Sequence, residues 1–221
     1  LRILIAGAAS GIGRSLARKL YTEEDVSLIL IDKNEPGLKI LKNELAPEDH
    51  ASPWLSSRTV KTLALDIGEN DSAKKTAEFL GDTPLDILIN CAGFTYVGQF
   101  HDMPEDELNH IVQVNLLGTM RITRALIPKL LASKQATIVN IASLAGLIGA
   151  PGMAAYTATK FGLVGFSQAL ELELKDKVHV ATVCPAFVKT SILENSRGSK
   201  SKQQLQVMNS IMQRFGTTPE R

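Results

Sequence analysis

Apolar runs of strand length alternate with segments of helical period along this whole chain, and few architectures accept that order. The runs are residues 2–6 (RILIA), 26–31 (VSLILI, ending on Asp32), 60–65, 85–90 (LDILIN), 136–141 (ATIVNI) and 178–184 (VHVATVC). Most are continuous rather than alternating, the pattern of strands buried on both faces. Between them Ile12, Leu16 and Leu20, then Leu38, Leu41 and Leu45, recur at helical spacing. Asn34 is placed to cap the second helix, with Pro36 in a first turn that needs no donor. Residues 70–80 and 153–174 predict further helices. Asp102 with Glu105 predicts the cap of a long helix reaching about Leu131, kinked near Pro128. Strand–helix repetition of this kind predicts a three-layer α/β/α fold around a doubly wound, parallel, Rossmann-type sheet.

Composition narrows the function. Of 221 residues, 44% are apolar and 21% charged, ordinary globular usage. The net charge is +1 and the basic residues are scattered, which argues against nucleic acid or an anionic membrane as partner. Cys91 and Cys184 end apolar runs, form no Cys-x-x-Cys pair, and read as buried thiols. His50, His101, His110 and His179 share no metal-ligand spacing, so no metal site is expected. Residues 46–58 read as a long surface loop. No linker divides the chain, so residues 1–221 are expected to form one dinucleotide-binding and catalytic domain, with residues 188–217 as a substrate lid. The chain opens on Leu1, already in a strand, and shows no signal peptide or membrane span. A cytoplasmic location is the default expectation, with membrane association through a segment ahead of Leu1 as the alternative.

The turn after the first strand is Gly-Ala-Ala-Ser-Gly-Ile-Gly, residues 7–13. Gly7, Gly11 and Gly13 let the backbone turn sharply and approach a pyrophosphate. Ser10 and Ile12 complete a helix start whose free N–H groups meet the phosphate charge. Asp32 lies 19 residues beyond Gly13 at the end of the next strand, where a carboxylate accepts hydrogen bonds from the adenine ribose hydroxyls. It would repel a 2′-phosphate, and Ser10 supplies no compensating cation. NAD is therefore expected ahead of NADP, with Lys33 able to blunt the preference.

A second constellation carries the chemistry. Tyr156 and Lys160 stand four apart on a predicted helix and share a face. Ser143 follows the fifth strand, whose end opens on the crevice of such a sheet. Hydride removal from an alcohol requires the hydroxyl proton to leave. A phenol, with a pKa of about 10, is a poor base until a neighbouring ammonium stabilises its phenolate. Ser143 would hold the substrate oxygen while Tyr156 exchanges the proton.

These residues together resemble the short-chain dehydrogenases/reductases in their single-domain form, over almost the whole chain. The family's Thr-Gly-x-x-x-Gly-x-Gly appears as Ala6 to Gly13, and its Asn-Asn-Ala-Gly as Asn90, Cys91, Ala92 and Gly93. Its catalytic Asn, Ser, Tyr and Lys match Asn115, Ser143, Tyr156 and Lys160. Its Pro-Gly motif appears as Pro185-Ala186, followed by Val188 and Thr190. The departures are Ala6, Cys91 and Ala186, the last requiring a negative φ. The resemblance implies that Asp66 and Ile67 contact the adenine and that Asn90 shapes the cofactor cleft. It implies that Asn115 holds a water relaying protons through Lys160, that Lys160 binds the nicotinamide ribose, and that Val188 and Thr190 meet the carboxamide. The family normally continues into a further helix, which Thr218-Pro219-Glu220 would begin, and a last parallel strand. Six strands in the order 3-2-1-4-5-6 are therefore expected here. It also implies a homodimer or homotetramer paired through residues 108–131 and 153–174.

The predicted substrate pocket draws on Phe94, Tyr96 and Val97, on Leu144, Leu147, Ile148 and Met153, and on Phe187, Ile192 and Leu193. About half of these are expected to be core or subunit contacts. The nearest charges are Lys189, Glu194 and Arg197, on the expected lid. An uncharged, largely apolar secondary alcohol or ketone, steroid-like or lipid-like, is expected over a sugar phosphate or hydroxy acid. Two rivals remain. A sugar-nucleotide epimerase would carry a Gly-x-x-Gly-x-x-Gly turn and a larger C-terminal domain. A catalytically silent NAD-binding sensor or scaffold would have no need of Tyr156 and Lys160.

Overall fold

β1 (Arg2–Ala6) lies at the middle of the sheet, between β2 (Ser27–Asp32) and β4 (Ile87–Asn90), with Leu4 in register with both Ile29 and Leu88. Ile3, Leu4 and Ile5 are fully buried, which is why this run shows no alternation. In this computed structural model the described residues are 1–221 except 24, 48–57, 187, 189–195, 199–213, 215 and 220–221. With β3 (Thr59–Ala64), β5 (Ala136–Ile141) and β6 (Val178–Val183) they build one six-stranded parallel sheet in the order β3-β2-β1-β4-β5-β6, as expected.

Successive residues of β1 divide the core between two helical layers. Ile3 and Ile5 pack with Ala17 of α1 (Gly11–Leu20) and with Leu38 and Leu41 of α2 (Glu35–Leu45). Leu4 and Ala6 belong to the opposite cluster. It includes Leu80 of α3 (Ser72–Leu80), Ile122 and Leu126 of α5 (Thr119–Leu131), and Leu170 of α6 (Ala154–Glu173). Each fully buried Leu or Ile contributes about 1.5–3 kcal/mol, so the two layers clamp β1 from both sides. At α2 the Asn34 side chain accepts from the Gly37 N–H at 3.0 Å, with Pro36 in the first turn, as expected.

The long helix after β4 departs from expectation at its start and middle. Asp102 does not cap it. Residues Phe100–Asp102 form a 3-10 turn, and α4 (Glu105–Val112) begins after Pro104, which offers no side-chain cap. That extra turn shifts the helix start beyond reach of Asp102. A π-helical turn, Gln113–Gly118, then joins α4 to α5. α5 runs through Pro128 to Leu131.

Strand order reverses between β1 and β4, because the chain winds outward to β3 and then crosses back. The carboxyl ends of these neighbours splay their connections apart and open the crevice where this architecture receives ligands. Gly7, Asp32, Cys91, Ser143 and Cys184 all stand at that edge. Much of the expected lid, residues 188–217, lies outside the described residues, as do Thr190, Phe187, Ile192, Leu193, most of the 46–58 loop and the end of the helix expected from Thr218. Val188 and Thr217 are described and form an isolated bridge. Among the described residues no helix is long and apolar enough to cross a membrane.

Candidate active site

The crevice is a cleft of about 460 Å³. One end is lined by Gly7, Ser10, Gly11, Ile12, Asp32, Asp66 and Ile67, and the middle by Cys91, Ala92 and Gly93. The other end is lined by Ser143, Tyr156, Lys160, Pro185 and Val188. The two constellations visible in the sequence thus share one groove.

At the first end, Gly7 and Gly11 have φ of 88° and 52°, backbone that L side chains adopt at a cost. Ser10 makes no capping hydrogen bond, and the first turn of α1 holds no acidic residue. Its leading N–H groups therefore keep their capacity for an anion. Asp32 is fixed by backbone donors: one carboxylate oxygen accepts from Ala9 N–H at 3.0 Å, the other from Asn34 N–H at 2.9 Å. Each oxygen has a second lone-pair site, so room remains for a diol. Lys33 lies 3.9 Å from the Asp66 carboxylate. Gly13 does not line the cleft. It lies tight against Gly7, and the Cys91 thiol beside it accepts from its backbone N–H.

At the other end, Ser143 caps the short 3-10 turn Leu144–Gly146, its hydroxyl oxygen accepting from Ala145 N–H at 3.2 Å. Tyr156 is 6% exposed. Burial pushes its phenol above the usual value, and a hydrogen bond from the Ser143 hydroxyl opposes that rise. One turn later on α6, Lys160 Nζ lies 5.7 Å from the Tyr156 ring centroid and donates to the Ile141 carbonyl at 2.9 Å. Burial lowers the Lys160 ammonium to about 8, against the opposing pull of the Cys91 and Cys184 thiols. Lys160 is not among the groups that shift the Tyr156 phenol, so the lowering by a neighbouring ammonium expected from the sequence is not present in the free chain.

Asn115 sits in the π-helical turn and is fully buried. Its side-chain oxygen accepts from Phe94 N–H at 3.0 Å, and its amide donates to the Phe94 carbonyl at 2.8 Å and to Thr159 Oγ1 at 3.3 Å. The side chain is thus occupied in clamping the segment after Gly93 to α6. π-Helical turns shift backbone bonding from i→i+4 to i→i+5 and are frequent at functional sites. Asn90 lies behind the cleft rather than on its wall. Its amide donates to Thr123 Oγ1 and Asn140 Oδ1 at 3.0 and 2.8 Å, and Asn140 donates to Ser167 Oγ at 2.8 Å. This buried chain ties β4 and β5 to α5 and α6. Ala186 has no positive φ, as its replacement of glycine requires. Tyr96 and Val97 are buried, Leu147 and Ile148 are exposed, and Phe94 lines the cleft.

Cys91 and Cys184 are both free and partly buried. Enclosure pushes the Cys91 thiol up to about 11. Lys160 and Cys91 therefore act oppositely on stability. The folded chain binds fewer protons at Lys160 than the unfolded chain between about pH 8 and 10.5, so Lys160 makes stability rise with pH across that window. Unfolding free energies of the wild type and Lys160→Met, measured from pH 7 to 10.5, should differ by an amount that changes by about 3 kcal/mol, because each pH unit of that window contributes about 1.36 kcal/mol. A pH-independent difference would mean that Lys160 is solvated in the folded chain.

A doubly wound parallel sheet with its ligand crevice at the β1/β4 switch point defines a Rossmann-type α/β protein. The family model for short chain dehydrogenase matches residues 2–201, and the chain belongs to that family of oxidoreductases. Oxidoreductase UcpA of Escherichia coli K12 is 32% identical over 196 residues, covering 87% of this chain and 71% of that one. A short chain dehydrogenase/reductase from Burkholderia phymatum, solved in complex with NAD, superposes with a TM-score of 0.84 at 24% identity, covering 99% of this chain and 81% of its own. A short-chain dehydrogenase from Sphingobium yanoikuyae in complex with NADPH gives 0.79 at 26% identity, covering 98% and 86%.

Proposed function

We propose that this chain transfers a hydride between NAD(H) and an uncharged, largely apolar secondary alcohol or ketone. The observation that carries the reading is the meeting of Ser143, Tyr156 and Lys160 in the same cleft as the glycine turn and Asp32. Residues 1–221 act in this reading as one dinucleotide-binding and catalytic domain.

The groove suits a dinucleotide. Gly7, Ser10, Gly11 and Ile12 would take the pyrophosphate, Asp32 the adenine ribose, and Asp66 with Ile67 the adenine. Ala92 and Gly93 would form the floor, and Lys160, Pro185, Val188 and Thr190 would hold the nicotinamide half. Gly93 lets Asn115 and Lys160 close up against the floor: a Cβ there would stand 3.2 Å from Asn115 Oδ1 and 3.7 Å from Lys160 Nζ. The nicotinamide, when bound, supplies or accepts the hydride.

The protein's own residues move the proton. Ser143 orients the substrate oxygen against the Tyr156 hydroxyl. In ketone reduction Tyr156 donates its proton to that oxygen, and in alcohol oxidation it takes one. Its raised pKa favours the protonated form in the free chain, and the Lys160 charge stabilises the phenolate as it forms. Protons return through a water held at Asn115. Lys160, on the neighbouring helix, would relay those protons.

An apolar substrate is supported by Phe94 and Val188 in the lining and by exposed Leu147 and Ile148 just beyond Ser143. A homodimer or homotetramer paired through α5 and α6 is supported by Leu131, Phe161 and Leu172, which lie exposed on those helices. Initial rates on cyclic and long-chain secondary alcohols with NAD should exceed those on a short hydroxy acid. A higher specificity constant for the hydroxy acid would overturn the substrate class.

Cofactor choice rests on Asp32. Wild type should favour NAD over NADP, because the carboxylate repels a 2′-phosphate and the nearby Lys33 is drawn toward Asp66. Asp32→Ala should reduce the ratio of NAD to NADP specificity constants at least about tenfold, corresponding to about 1.4 kcal/mol. An unchanged ratio would remove Asp32 from the ribose site.

A further inference from the structure

One part of the cleft rim is built around a charge pair that the proposed reaction does not use. Ser196, Arg197 and Gly198 lie along Thr95, Tyr96 and Val97. Tyr96 and Arg197 form a parallel bridge, Arg197 N–H donates to the Thr95 carbonyl at 3.0 Å, and its carbonyl accepts from Val97 N–H at 2.9 Å. Gly198 makes this approach possible. Its φ is 108°, and a Cβ there would come within 2.4 Å of the Val97 carbonyl oxygen.

With its backbone held, Arg197 directs its side chain along the rim. The guanidinium lies 5.0 Å from the Phe94 ring centroid. Nη1 donates to both carboxylate oxygens of Glu107, in the first turn of α4, at 3.2 Å each. Arg197 and Phe94 line the cleft that contains Ser143 and Tyr156. A half-exposed pair of this kind adds little to stability. Its larger consequence is electrostatic. A guanidinium held by its backbone, a ring face and a carboxylate is a ready site for an anion, and Glu107 fills that site from within the chain.

We propose that Glu107 and Arg197 form a specificity-determining pair: Glu107 cancels a fixed cation at the cleft rim and so makes the site reject anionic substrates. This rests on the oxidoreductase reading above and adds the residues that set its charge selectivity.

The test compares 7-hydroxyoctanoate with its methyl ester, which share a carbinol and differ in distal charge. The measured quantity is the kcat/KM ratio of acid to ester with NAD at pH 7 and low ionic strength. Glu107→Gln should raise this ratio about tenfold or more. The gain should shrink in 0.5 M salt, because an exposed charge is screened over a Debye length of about 10 Å at 0.1 M and less above that. Adding Arg197→Gln should cancel the gain. Arg197→Gln alone leaves the Glu107 carboxylate unopposed and should lower the ratio about fivefold, an independent arm should Glu107→Gln fold poorly. If the ester is oxidised but these substitutions leave the ratio within about twofold of wild type, the pair does not set selectivity. If neither compound nor any other secondary alcohol is oxidised by wild type, the oxidoreductase reading fails and this inference with it.

Discussion

Tyr156→Phe is expected to lower kcat/KM for secondary alcohol oxidation by about 10²–10⁴-fold, the usual contribution of a positioned acid/base, while leaving NADH affinity within about threefold. The substitution deletes one hydroxyl from a ring that is 6% exposed and packed with Ala145 and Ala155, so it removes the proposed proton carrier without opening a cavity. Ser143 loses its phenol partner but keeps its bond from Ala145 N–H, and Lys160 keeps the Ile141 carbonyl. The cofactor wall therefore stays in place. Initial-rate kinetics and a fluorescence titration with NADH separate the two effects. Turnover at the wild-type level would assign the proton to another group.

Gly13→Ala is expected to damage cofactor binding and the fold together. Its Cβ would lie 2.0 Å from the Gly7 carbonyl oxygen and 2.9 Å from the Gly7 carbonyl carbon. That is backbone, and it cannot rotate away. Relief requires the turn to open, yet Gly7 is itself pressed against Ala92, where a Cβ would lie 2.5 Å from the amide nitrogen. Overpacking of this type costs about 1–3 kcal/mol, which in a chain of this size lowers Tm by roughly 2–4 °C per kcal/mol. NADH affinity should fall by about 100-fold or more, because the N–H groups of α1 are displaced from the groove. Thermal unfolding and an NADH titration on the same sample check both effects. Unchanged affinity would mean that the turn does not hold the cofactor.

The parts legible in the sequence are those that local pattern determines. Strand periodicity places β1, β2, β3, β5 and β6 to within a residue or so: burial on both faces leaves β1 and β2 as nearly uninterrupted apolar runs, while the edge strands β3 and β6 mix apolar with exposed residues. The glycine turn is legible because it is a backbone requirement at a strand end, and Asp32 because a carboxylate ends the next strand at a fixed offset from that turn. Tyr156 and Lys160 are legible because four residues on a helix is one turn. The chain-distant contacts are not. Asn115 clamps Phe94 from 21 residues away, and Arg197 finds Glu107 across 90. No local pattern encodes either separation. Only the family resemblance put Asn90 in the cleft, and a strand-end side chain can point behind the sheet edge as readily as into it. The Asp102 cap fails because a residue-type pattern does not reveal a 3-10 turn between the cap and its helix. The π-helical turn has no sequence signal beyond the Asn115 resemblance.

Hydride transfer is read out by following deuterium from a carbinol-labelled secondary alcohol to NAD. Enzyme is incubated with a panel of alcohols bearing deuterium at the carbinol carbon, and the reduced cofactor is weighed by mass spectrometry. Wild-type enzyme should yield NADH carrying one deuterium from at least one apolar alcohol, and Tyr156→Phe should transfer the label about 100-fold or more slowly. NAD bound by the wild type with no label transferred from any alcohol, and none passed from labelled NADH to the matching ketones, would contradict hydride transfer and leave a cofactor-binding protein without this chemistry.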